Sequence, residues 1–426
     1  MIIPLQQGDN NVYVEYVTLA LQRAGYGGDI SSEYGENVVS RVISFQNDNG
    51  LSSDGIVGIK TWDALKPYIT GYKRIVPKEG DTLESIARDF GISIKQITDA
   101  NPDISDNITE SIITVPLPFD VVPDNVRYTS YLSSLLIDGL IARYPFIKSN
   151  SAGKSVMGNE LDVMIIGNGP TEVFFNASHH ANEWITTPVV FKFSEDYAKA
   201  YINSANIYDI SATDLYSSKT LYLLPLVNPD GVDLVNGGIS DTQYLDVTKT
   251  IADNYPEIPY PSGWKANILG TDLNLNYPAG WMNARDIKFG LGFTSPAPRD
   301  FVGFAPLSAP ESRAVYDYTL DHNFALTLSY HTQGNIIYWK YLDYNPENAL
   351  EIGRELERVS GYPLETTPET SGYAGYKDWF ISYYNRPGYT IEIGLGENPL
   401  PISDFPTVYP PNKNLMATAL NLAQLT

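Results

Sequence analysis

Residues 172–188 read EVFFNASHHANEWITTP and join an apolar segment to a helix-like one through two adjacent histidines. The chain has four histidines, and two of them are His179 and His180. Glu183 follows His180 by three residues, so a helical turn places both side chains on one face. Imidazole nitrogen and carboxylate oxygen bind metals such as zinc at about 2.0–2.2 Å. The stretch therefore predicts a strand whose carboxyl end supplies two metal ligands, with a third from elsewhere and a fourth position open for water.

An isolated His-x-x-Glu has a second interpretation, an exposed histidine with an acidic residue that favours the helix dipole. Two other positions favour the metal site. His331 closes the apolar segment FALTLSYH, where its ring would emerge at the same sheet edge. Glu392 lies inside YTIEIG, where a carboxylate is costly to bury unless it has a task. We interpret His179 as structural and His322, in the loop DHN, as an exposed residue.

Short apolar segments alternate with helical patterns from residue 119 to residue 426. The apolar segments are LDVMIIG, EVFFNAS, TLYLLPLV, FALTLSYH and YTIEIG. The helical patterns include ITTPVVFKFSEDYAKAY, SAPESRAVYDYTL and ALEIGRELERVSG. This alternation indicates an α/β domain with helices on both faces of a sheet.

Two smaller segments precede this domain. Residues 1–70 contain three helical patterns, and we expect the third, TWDALKPYI, to begin at Thr61 as its N-cap. Residues 71–118 have the order strand, helix, helix, strand, with GDTLESIARDFG at the first helix. The proline-rich segment VPLPFDVVPDN is the expected linker to the large domain.

Composition limits the partners of the 426-residue chain. A formal net charge of −22 argues against nucleic acid, because counterion release needs clustered Lys and Arg. There is no cysteine, so histidine and carboxylate must hold any zinc. No apolar run approaches the roughly 20 residues that span a bilayer, and MIIPLQQGDN does not resemble a signal peptide. We expect a soluble protein without a membrane partner; location in the cell wall, the spore or the cytoplasm stays open.

The large domain resembles the zinc carboxypeptidases of the carboxypeptidase A type. The resemblance runs in order through HHANEW, LVNPDG, WKANILGTDLNLNYPAGW, LSYHTQG and YTIEIG. It implies a three-layer α/β/α domain with a mixed eight-stranded sheet. It also implies one zinc ion per chain, bound by His180, Glu183 and His331. Glu392 would be the general base, and Asp272 would orient a ligand histidine.

The positions that bind substrate in that family depart from its exopeptidases, which clamp a terminal carboxylate with arginines. At the matching positions this chain has Asn182 and Leu275. A leucine cannot form the two parallel hydrogen bonds that an arginine makes to a carboxylate. Lys265 occupies the place where an arginine usually polarises the scissile carbonyl, and we expect it to stabilise the oxyanion; a solvated surface lysine is the alternative.

Two further substrate contacts follow from the resemblance. Asn274 would orient the substrate peptide by hydrogen bonds, although a turn or backbone-capping role is an alternative. The family's tyrosine that covers the substrate has no clear counterpart. Tyr373 and Tyr376, in SGYAGYKDW, are the candidates.

The small segments also resemble known modules. Residues 12–65, most specifically FQNDNGLSSDGIVGIKTWDAL, resemble a three-helix peptidoglycan-binding domain. Residues 72–117 resemble a LysM domain through GDTLESIARDFG, the following ANP and the closing ITVP. The LysM resemblance implies that glycan binds between the loops Gly80–Leu83 and Asn101–Ile104. The βααβ LysM domain and the three-helix domain would thus precede the peptidase domain.

Together these features resemble the γ-D-glutamyl-diaminopimelate peptidase branch of the family. The resemblance implies hydrolysis of the bond between γ-D-glutamate and the diamino acid of peptidoglycan stem peptides. The modules would bind the glycan, and the stem peptide would lie at the zinc site. The alternatives are a zinc carboxypeptidase that acts on other peptide C-termini and a non-catalytic wall-binding protein.

Overall fold

The structure is a computed structural model that describes residues 4–104, 108–368 and 371–425. Within these residues the chain divides into two compact units. Unit 1 spans Met1–Arg127 and Tyr131–Lys148, and unit 2 spans Tyr128–Ser130 and Ser149–Thr426. Among the described residues, no helix combines the length and the apolar character that crossing a bilayer requires.

Unit 1 begins with α1 (Val12–Leu21), α2 (Glu36–Asp48) and α3 (Ile59–Thr70). Helix α3 follows Gly58 as its N-cap, so the expected N-cap at Thr61 is wrong. Thr61 is buried, and its hydroxyl accepts a hydrogen bond from Gln46 Nε2 at 3.2 Å. A buried contact with α2, rather than helix capping, therefore explains this threonine.

The next part of unit 1 has the expected order strand, helix, helix, strand. Its elements are β1 (Tyr72–Ile75), α4 (Leu83–Phe90), α5 (Ile94–Ala100) and β2 (Ile113–Pro116), and β1 and β2 pair antiparallel. Thr82 and Ser93 cap the two helices, each in a reciprocal pair of hydrogen bonds with the third helical residue. Gly91 ends α4 with a φ of 67°, a conformation that glycine adopts without strain. Helix α6 (Ser130–Arg143) follows.

Among the described residues, strands from residue 148 onward form one mixed sheet of eight strands, as the family resemblance implied. The strands are β3 (Lys148–Lys154), β4 (Glu160–Gly167), β5 (Thr171–Ala177), β8 (Lys219–Leu224), β9 (Leu326–His331), β10 (Ile336–Tyr338), β11 (Leu364–Glu365) and β12 (Gly388–Glu392). Their order is β11-β10-β12-β9-β5-β8-β4-β3. Strands β8, β5, β9 and β12 run parallel, whereas β4 and β10 are antiparallel to their neighbours β8 and β12. A separate hairpin consists of β6 (Asn206–Ile207) and β7 (Ile210–Ser211).

Helices cover both faces of this sheet. The helices that follow α6 along the chain are α7 (Thr186–Ile202), α8 (Ala212–Ser218), α9 (Pro229–Asn236), α10 (Thr242–Asp253), α11 (Trp281–Gly290), α12 (Pro310–Leu320), α13 (Ala349–Ser360), α14 (Tyr376–Tyr384) and α15 (Phe405–Leu422). Phe174 and Phe175 point to opposite faces, because side chains alternate along a strand. Phe174 stacks on Phe324 at 4.9 Å and shares a buried cluster with Phe380 of α14. Phe175 lies 6.3 Å from Phe193 of α7. The three-layer α/β/α prediction is confirmed.

The parallel strands β5, β9 and β12 end at one edge of the sheet. Strand β5 ends at Ala177, β9 at His331 and β12 at Glu392. In the register of the sheet, Glu392 lies directly beside His331. Ligand sites of α/β folds usually form at the carboxyl ends of parallel strands. This edge is therefore where the candidate residues meet.

Candidate metal centre and active site

The turn after β5 directs two side chains of one short segment to the same point. Ser178 turns the chain with a φ of 54°, and its hydroxyl lies 2.8 Å from the hydroxyls of Thr186 and Thr187. A 3-10 helix over residues 181–183 follows, with His180 immediately before it. His180 Nδ1 consequently lies 3.0 Å from Glu183 Oε1. The spacing of three residues therefore brings the two side chains together, as the sequence predicted.

His331 completes the cluster from the end of β9. Its Nδ1 lies 3.0 Å from Glu183 Oε2 and 3.1 Å from His180 Nδ1. All three side chains are buried, and one ligand atom of each lies within 4.8 Å of the others. Ligands of a tetrahedral zinc with bonds of about 2.0–2.1 Å are about 3.3 Å apart. Two imidazoles and one carboxylate at these separations fit a zinc ion.

The charges around the cluster favour a cation. Burial would lower the pKa of His180, yet Glu183 and Asp272 raise it to about 9. Burial would raise the pKa of Glu183, but His180 and Lys265 hold it well below its ordinary value. Glu183 is therefore ionised, and the cluster stabilises positive charge between its ligand atoms. A bound metal ion supplies that charge.

Asp272 fixes the orientation of one ligand ring. Its Oδ1 lies 3.1 Å from His180 Nε2, and its Oδ2 accepts a hydrogen bond from the backbone N–H of Asp300 at 3.2 Å. Burial opposes its ionisation, but His180 and Lys265 hold its pKa below the ordinary value. Because a carboxylate only accepts, His180 donates from Nε2 to Asp272, and Nδ1 is the nitrogen that can bind a metal once it has lost its own proton.

Asn274 lies behind the second histidine. Its Nδ2 is 3.4 Å from His331 Nε2, and its Oδ1 accepts a hydrogen bond from the backbone N–H of Tyr376 at 3.0 Å. The carboxamide therefore links the first residue of α14 to the end of β9. Asn274 also lines a cleft at the cluster, where a substrate could reach it.

Glu392 and Lys265 adjoin the cluster. Burial raises the pKa of Glu392 to about 8, and the neighbouring Glu183 carboxylate adds to the rise. Lys265 Nζ lies 2.9 Å from Glu183 Oε1. The backbone carbonyl of Lys265 accepts a hydrogen bond from Ala181 N–H at 3.0 Å, which holds this loop against the His180 segment.

Two clefts among the described residues meet at the cluster. The first cleft has a volume of about 240 Å³, and its lining includes His180, His331, Asn274, Leu275, Lys377, Asp378 and Thr390. The second cleft has a volume of about 560 Å³, and its lining includes Asn182, Glu257, Thr332 and Asn398. Lys265, Arg299, Tyr338 and Glu392 line both. An extended substrate can therefore pass from one cleft to the other over Glu392 and Lys265.

The other residues named from the sequence take different positions. Asn182 lines the second cleft, and its buried Oδ1 has no hydrogen-bond partner among the described residues. Leu275 lines the first cleft and packs against Trp281. Tyr373 lines a neighbouring cavity and neither of the two clefts. Tyr376 is fully buried, with its hydroxyl 3.0 Å from that of Thr319. The structure thus brings neither tyrosine to the metal cluster.

The two remaining histidines have structural surroundings. His179 is buried, and its Nε2 lies 3.0 Å from the hydroxyl of Tyr277, in agreement with the structural role expected for it. The expectation that His322 is exposed is wrong. Its ring is half-buried and stacks on Phe324 at 5.0 Å, while Nδ1 lies 2.7 Å from the carbonyl of Tyr318. The aromatic core extends to the end of α12, and the polarity of DHN does not reveal this.

Sequence reasoning missed two residues that line both clefts. Arg299 donates from Nε to Asp300 Oδ2 at 2.6 Å. No hydrogen bond of its two terminal nitrogens to the described residues is found. Tyr338 lies on β10, directly beside Thr390 of β12. Neither residue belongs to a recognisable sequence motif. Only the fold brings Arg299 and Tyr338 to the clefts.

Comparisons with known proteins agree with this geometry. A family model described as zinc carboxypeptidase matches residues 135–414. Models described as putative peptidoglycan binding domain and LysM domain match residues 13–65 and 78–108. The solved structure of bovine thrombin-activatable fibrinolysis inhibitor in complex with tick carboxypeptidase inhibitor is similar with a TM-score of 0.53 and 19% identity, over 69% of this chain and 96% of that one. This last similarity supports the fold alone.

Two curated relatives are more similar in sequence. Gamma-D-glutamyl-L-diamino acid endopeptidase 1 of Lysinibacillus sphaericus is 45% identical over 275 residues, 64% of this chain and 67% of the relative. Uncharacterized protein YqgT of Bacillus subtilis (strain 168) is 37% identical over 287 residues, 67% of this chain and 74% of the relative. The family model spans more than half of the chain, and the residues at the carboxyl ends of the parallel strands form a site that fits zinc. This protein therefore belongs to the zinc carboxypeptidase family and is a zinc metallopeptidase.

Proposed function

We propose that this metallopeptidase hydrolyses the bond between γ-D-glutamate and meso-diaminopimelate in bacterial peptidoglycan stem peptides. The observation that carries the proposal is the pair of clefts that meet at Glu392 and Lys265. A substrate across this junction extends to both sides of the scissile bond, as an endopeptidase requires. The 45% identity to a protein named gamma-D-glutamyl-L-diamino acid endopeptidase supports the same reaction.

The two alternatives fit the site less well. A carboxypeptidase that acts on other peptide C-termini needs cations that hold a terminal carboxylate. At the two positions where the family's exopeptidases have these arginines, Leu275 packs against Trp281 and Val302, and Asn182 carries no charge. A non-catalytic wall-binding protein would not need to keep His180, Glu183, His331 and a buried Glu392 together.

The residues have the following proposed roles. His180, Glu183 and His331 would hold the zinc, which would supply Lewis-acid chemistry and lower the pKa of a water molecule at the site to about 7. Glu392 removes a proton from the attacking water and delivers it to the leaving amine. Lys265 stabilises the developing oxyanion. Asp272 keeps His180 in the orientation and protonation state that leave Nδ1 free.

The substrate contacts are proposals of the same kind. Asn182, Asn274 and Leu275 contact the peptide from the cleft walls. Tyr373 stays a prediction from family resemblance, and Tyr338, which lines both clefts, is better placed to cover the substrate. These contacts orient the peptide, and Glu392 carries out the proton transfers.

Arg299 has a proposed role on the glutamyl side. A D-glutamate linked through its γ-carboxyl keeps a free α-carboxylate near the scissile carbonyl. Arg299 lines both clefts and uses only Nε in its hydrogen bond to Asp300. A guanidinium can bind a carboxylate with two parallel hydrogen bonds. We assign Arg299 to the α-carboxylate of the γ-D-glutamyl residue.

The small modules have a proposed role in targeting. We propose that the chain divides into a peptidoglycan-binding domain (1–70), a LysM domain (71–118) and a peptidase domain (119–426). Residues 1–3, 105–107, 369–370 and 426 lie outside the described residues. The LysM loops Gly80–Leu83 and Asn101–Ile104 and the three-helix domain would bind the glycan. Tethered binding raises the local concentration of the active site at its polymer. The proposal concerns peptidoglycan wherever the chain meets it: cell wall, spore or cytoplasm.

Mass spectrometry of digested muropeptides tests the reaction. The zinc-loaded full chain should release the peptide fragment that begins with the diamino acid and leave L-alanyl-D-glutamate attached to the muramyl sugar. Glu392→Gln serves as the inactive control, because it keeps the shape of the side chain without the base. Release of only a C-terminal residue would favour the carboxypeptidase. Absence of products, with zinc bound, would favour the non-catalytic protein.

A further inference from the structure

The loop from Trp264 to Asp272 carries two functional side chains outside any helix or strand. Lys265 Nζ lies 2.9 Å from Glu183 Oε1. Asp272 Oδ1 lies 3.1 Å from His180 Nε2. A loop lacks the repeating backbone hydrogen bonds that fix side chains on a helix or strand. Other contacts must therefore set the positions of Lys265 and Asp272 at the metal centre.

Asn267 ties the two ends of this loop together. It is 1% exposed, and its Oδ1 accepts hydrogen bonds from the backbone N–H groups of Leu269 at 3.2 Å and Thr271 at 3.0 Å. Its backbone N–H donates to the carbonyl of Thr271 at 2.8 Å, and its carbonyl accepts the indole N–H of Trp264 at 3.1 Å. Because Trp264 and Thr271 adjoin the two functional residues, the contacts of Asn267 fix the stretch that carries both.

Glu311 anchors the carboxamide of Asn267 from the first turn of α12. Asn267 Nδ2 donates to Glu311 Oε2 at 3.0 Å, and the backbone N–H of Val156 donates to Glu311 Oε1 at 3.1 Å. Glu311 is 0% exposed, and no ion pair joins it to another described residue. Burying a carboxylate without a cation is costly, so the two N–H donors are what keeps it in place.

A contribution to stability alone is the simpler explanation for a buried hydrogen-bonded pair. Two apolar residues of similar volume would, however, fill the same space without burying a carboxylate. The location of the pair indicates a second role. The carbonyl of Lys265 accepts the backbone N–H of Ala181 at 3.0 Å, directly after His180. A shift of the loop would therefore move Lys265, the carboxylate of Asp272 and the turn at His180 together.

We propose that Asn267 and Glu311 form a positioning pair that holds Lys265 Nζ and Asp272 Oδ1 at the metal centre. Neither residue of the pair lines either cleft, so both act through the loop and not on the substrate. The part that concerns Lys265 rests on the proposed function, whereas the part that concerns Asp272 rests on its contact with His180. Displacement of a catalytic group by about 1 Å can cost about 10²-fold in rate.

An exchange of donor and acceptor isolates the pair. Asn267→Asp sets a second carboxylate against Glu311. Glu311→Gln leaves one of two donors, Val156 N–H or Asn267 Nδ2, without an acceptor. In the double variant Asn267→Asp/Glu311→Gln the new carboxylate accepts from the new amide, and the N–H groups of Val156, Leu269 and Thr271 keep their acceptors. The double variant also has the net charge of the wild type.

Kinetics of the zinc-loaded full chain on a muropeptide give the first measurement. They are recorded at about pH 8, above the pKa of about 7 to which burial raises Glu311. Each single variant should lower kcat about 30–100-fold and change KM by less than about threefold. The double variant should return kcat to within about threefold of the wild type. In a Lys265→Ala background, Asn267→Asp should lower kcat by less than about threefold, because the group that it positions is already absent.

The affinity for zinc gives a second measurement that needs no substrate. Each single variant loosens the contact of Asp272 with His180 and should raise the Kd for zinc about tenfold, at the lower end of the effect of losing such a contact. The double variant should again lie within about threefold of the wild type. Competition between the metal-free protein and a chromophoric chelator measures the Kd.

Asp230→Asn is the matched control for loss of stability. Asp230, on α9, is 0% exposed and accepts hydrogen bonds from Ser155 Oγ at 2.7 Å, Asn159 Nδ2 at 2.8 Å and Met157 N–H at 2.8 Å. Among the described residues, none of these hydrogen bonds reaches the loop 264–272. The variant should lower Tm and leave kcat and the Kd for zinc within about threefold of the wild type. A loss of kcat equal to that in Glu311→Gln would be a general effect of destabilisation and would overturn the positioning role.

The remaining outcomes separate the inference from the proposed function. Single variants with wild-type kcat and wild-type zinc affinity overturn the positioning role, and so does a double variant as impaired as the single ones. A further 30-fold loss of kcat in the Lys265→Ala background overturns action through Lys265. If Asn267→Asp does not fold, Glu311→Gln decides alone; if neither folds, the pair serves the fold and the positioning role is overturned. A wild type that does not cleave the γ-D-glutamyl bond overturns the proposed function, and the zinc affinities then decide whether the pair positions Asp272.

Discussion

Asp272→Asn removes the charge behind one zinc ligand and keeps the size of the side chain. Both carboxylate oxygens of Asp272 accept hydrogen bonds, from His180 Nε2 at 3.1 Å and from the Asp300 N–H at 3.2 Å. An asparagine offers one acceptor and one donor group, so one of these two donors loses its partner. Loss of a hydrogen-bond partner of a metal-ligating histidine costs about 10–100-fold in metal affinity.

The structure favours the upper end of that range. The variant loses the negative charge and one of two hydrogen bonds at a site where Asp272 is 3% exposed. We therefore expect the Kd for zinc to rise about 100-fold, which is about 2.7 kcal/mol at 1.36 kcal/mol per tenfold change. The Kd is measured by competition between the metal-free protein and a chromophoric chelator of known affinity. Far-ultraviolet circular dichroism checks that the variant is folded.

A matched control tests whether the charge alone matters. Glu257 is an exposed carboxylate that lines the second cleft, and no hydrogen bond joins it to a zinc ligand among the described residues. Glu257→Gln removes the same charge and should change the Kd by less than about threefold, as expected for an exposed and screened group. A zinc affinity of Asp272→Asn within threefold of the wild type would refute the orienting role. An equal loss in Glu257→Gln would assign the effect to net charge.

Three further predictions concern the base, the glutamyl side and a buried carboxyl group. Glu392→Gln should keep one zinc per chain and lose about 10²–10⁴-fold in kcat, since it removes the proton acceptor; near-wild-type turnover on the muropeptide would contradict this role. The wild type should prefer peptides whose D-glutamate has a free α-carboxylate over peptides in which this group is amidated, whereas Arg299→Gln should cleave both equally well. A preference that survives in the variant argues against the contact. Burial raises the pKa of Glu311 from 4.5 to about 7, so the folded state binds this proton more tightly than the unfolded state. The contribution of Glu311 to the free energy of unfolding should therefore be greatest below pH 4.5, fall by about 3 kcal/mol up to pH 7 and stay constant above it. Denaturant unfolding of the wild type and Glu311→Gln across this range measures the difference, and a difference independent of pH would show that the group does not titrate this way.

Local patterns in the sequence were sufficient for much of the fold. The apolar segment before His179 is a strand, because a short apolar run between turn signals suits a buried parallel strand. Thr82 and Ser93 each cap a helix through hydrogen bonds with a residue three positions later, so these helix starts depend on the local sequence. Thr61 shows the limit of the same reasoning. Its hydroxyl is bound by Gln46 from another helix, a contact that no local rule contains.

The candidate site also contains residues that local sequence brings together and residues that only the fold brings together. His180 and Glu183 share one turn, so their spacing alone brings them together. Arg299 and Tyr338 reach the clefts only because their loop and strand lie beside elements distant in sequence. Tyr373 was assigned from resemblance in a loop, and loop positions depend on packing that resemblance does not specify.

By itself, the sequence determined which residue types could bind and activate a metal, because the chemistry of imidazole and carboxylate belongs to the side chains. Only the tertiary structure decided that His331 Nδ1 lies 3.1 Å from His180 Nδ1, since residues 180 and 331 belong to different strand ends. The pairing of β9 with β12, which sets Glu392 beside His331, is likewise a property of the sheet. Closing a long loop costs only slightly more than closing a shorter one, so sequence separation does not reveal which strands become neighbours. Burial of both faces of the sheet selects that arrangement.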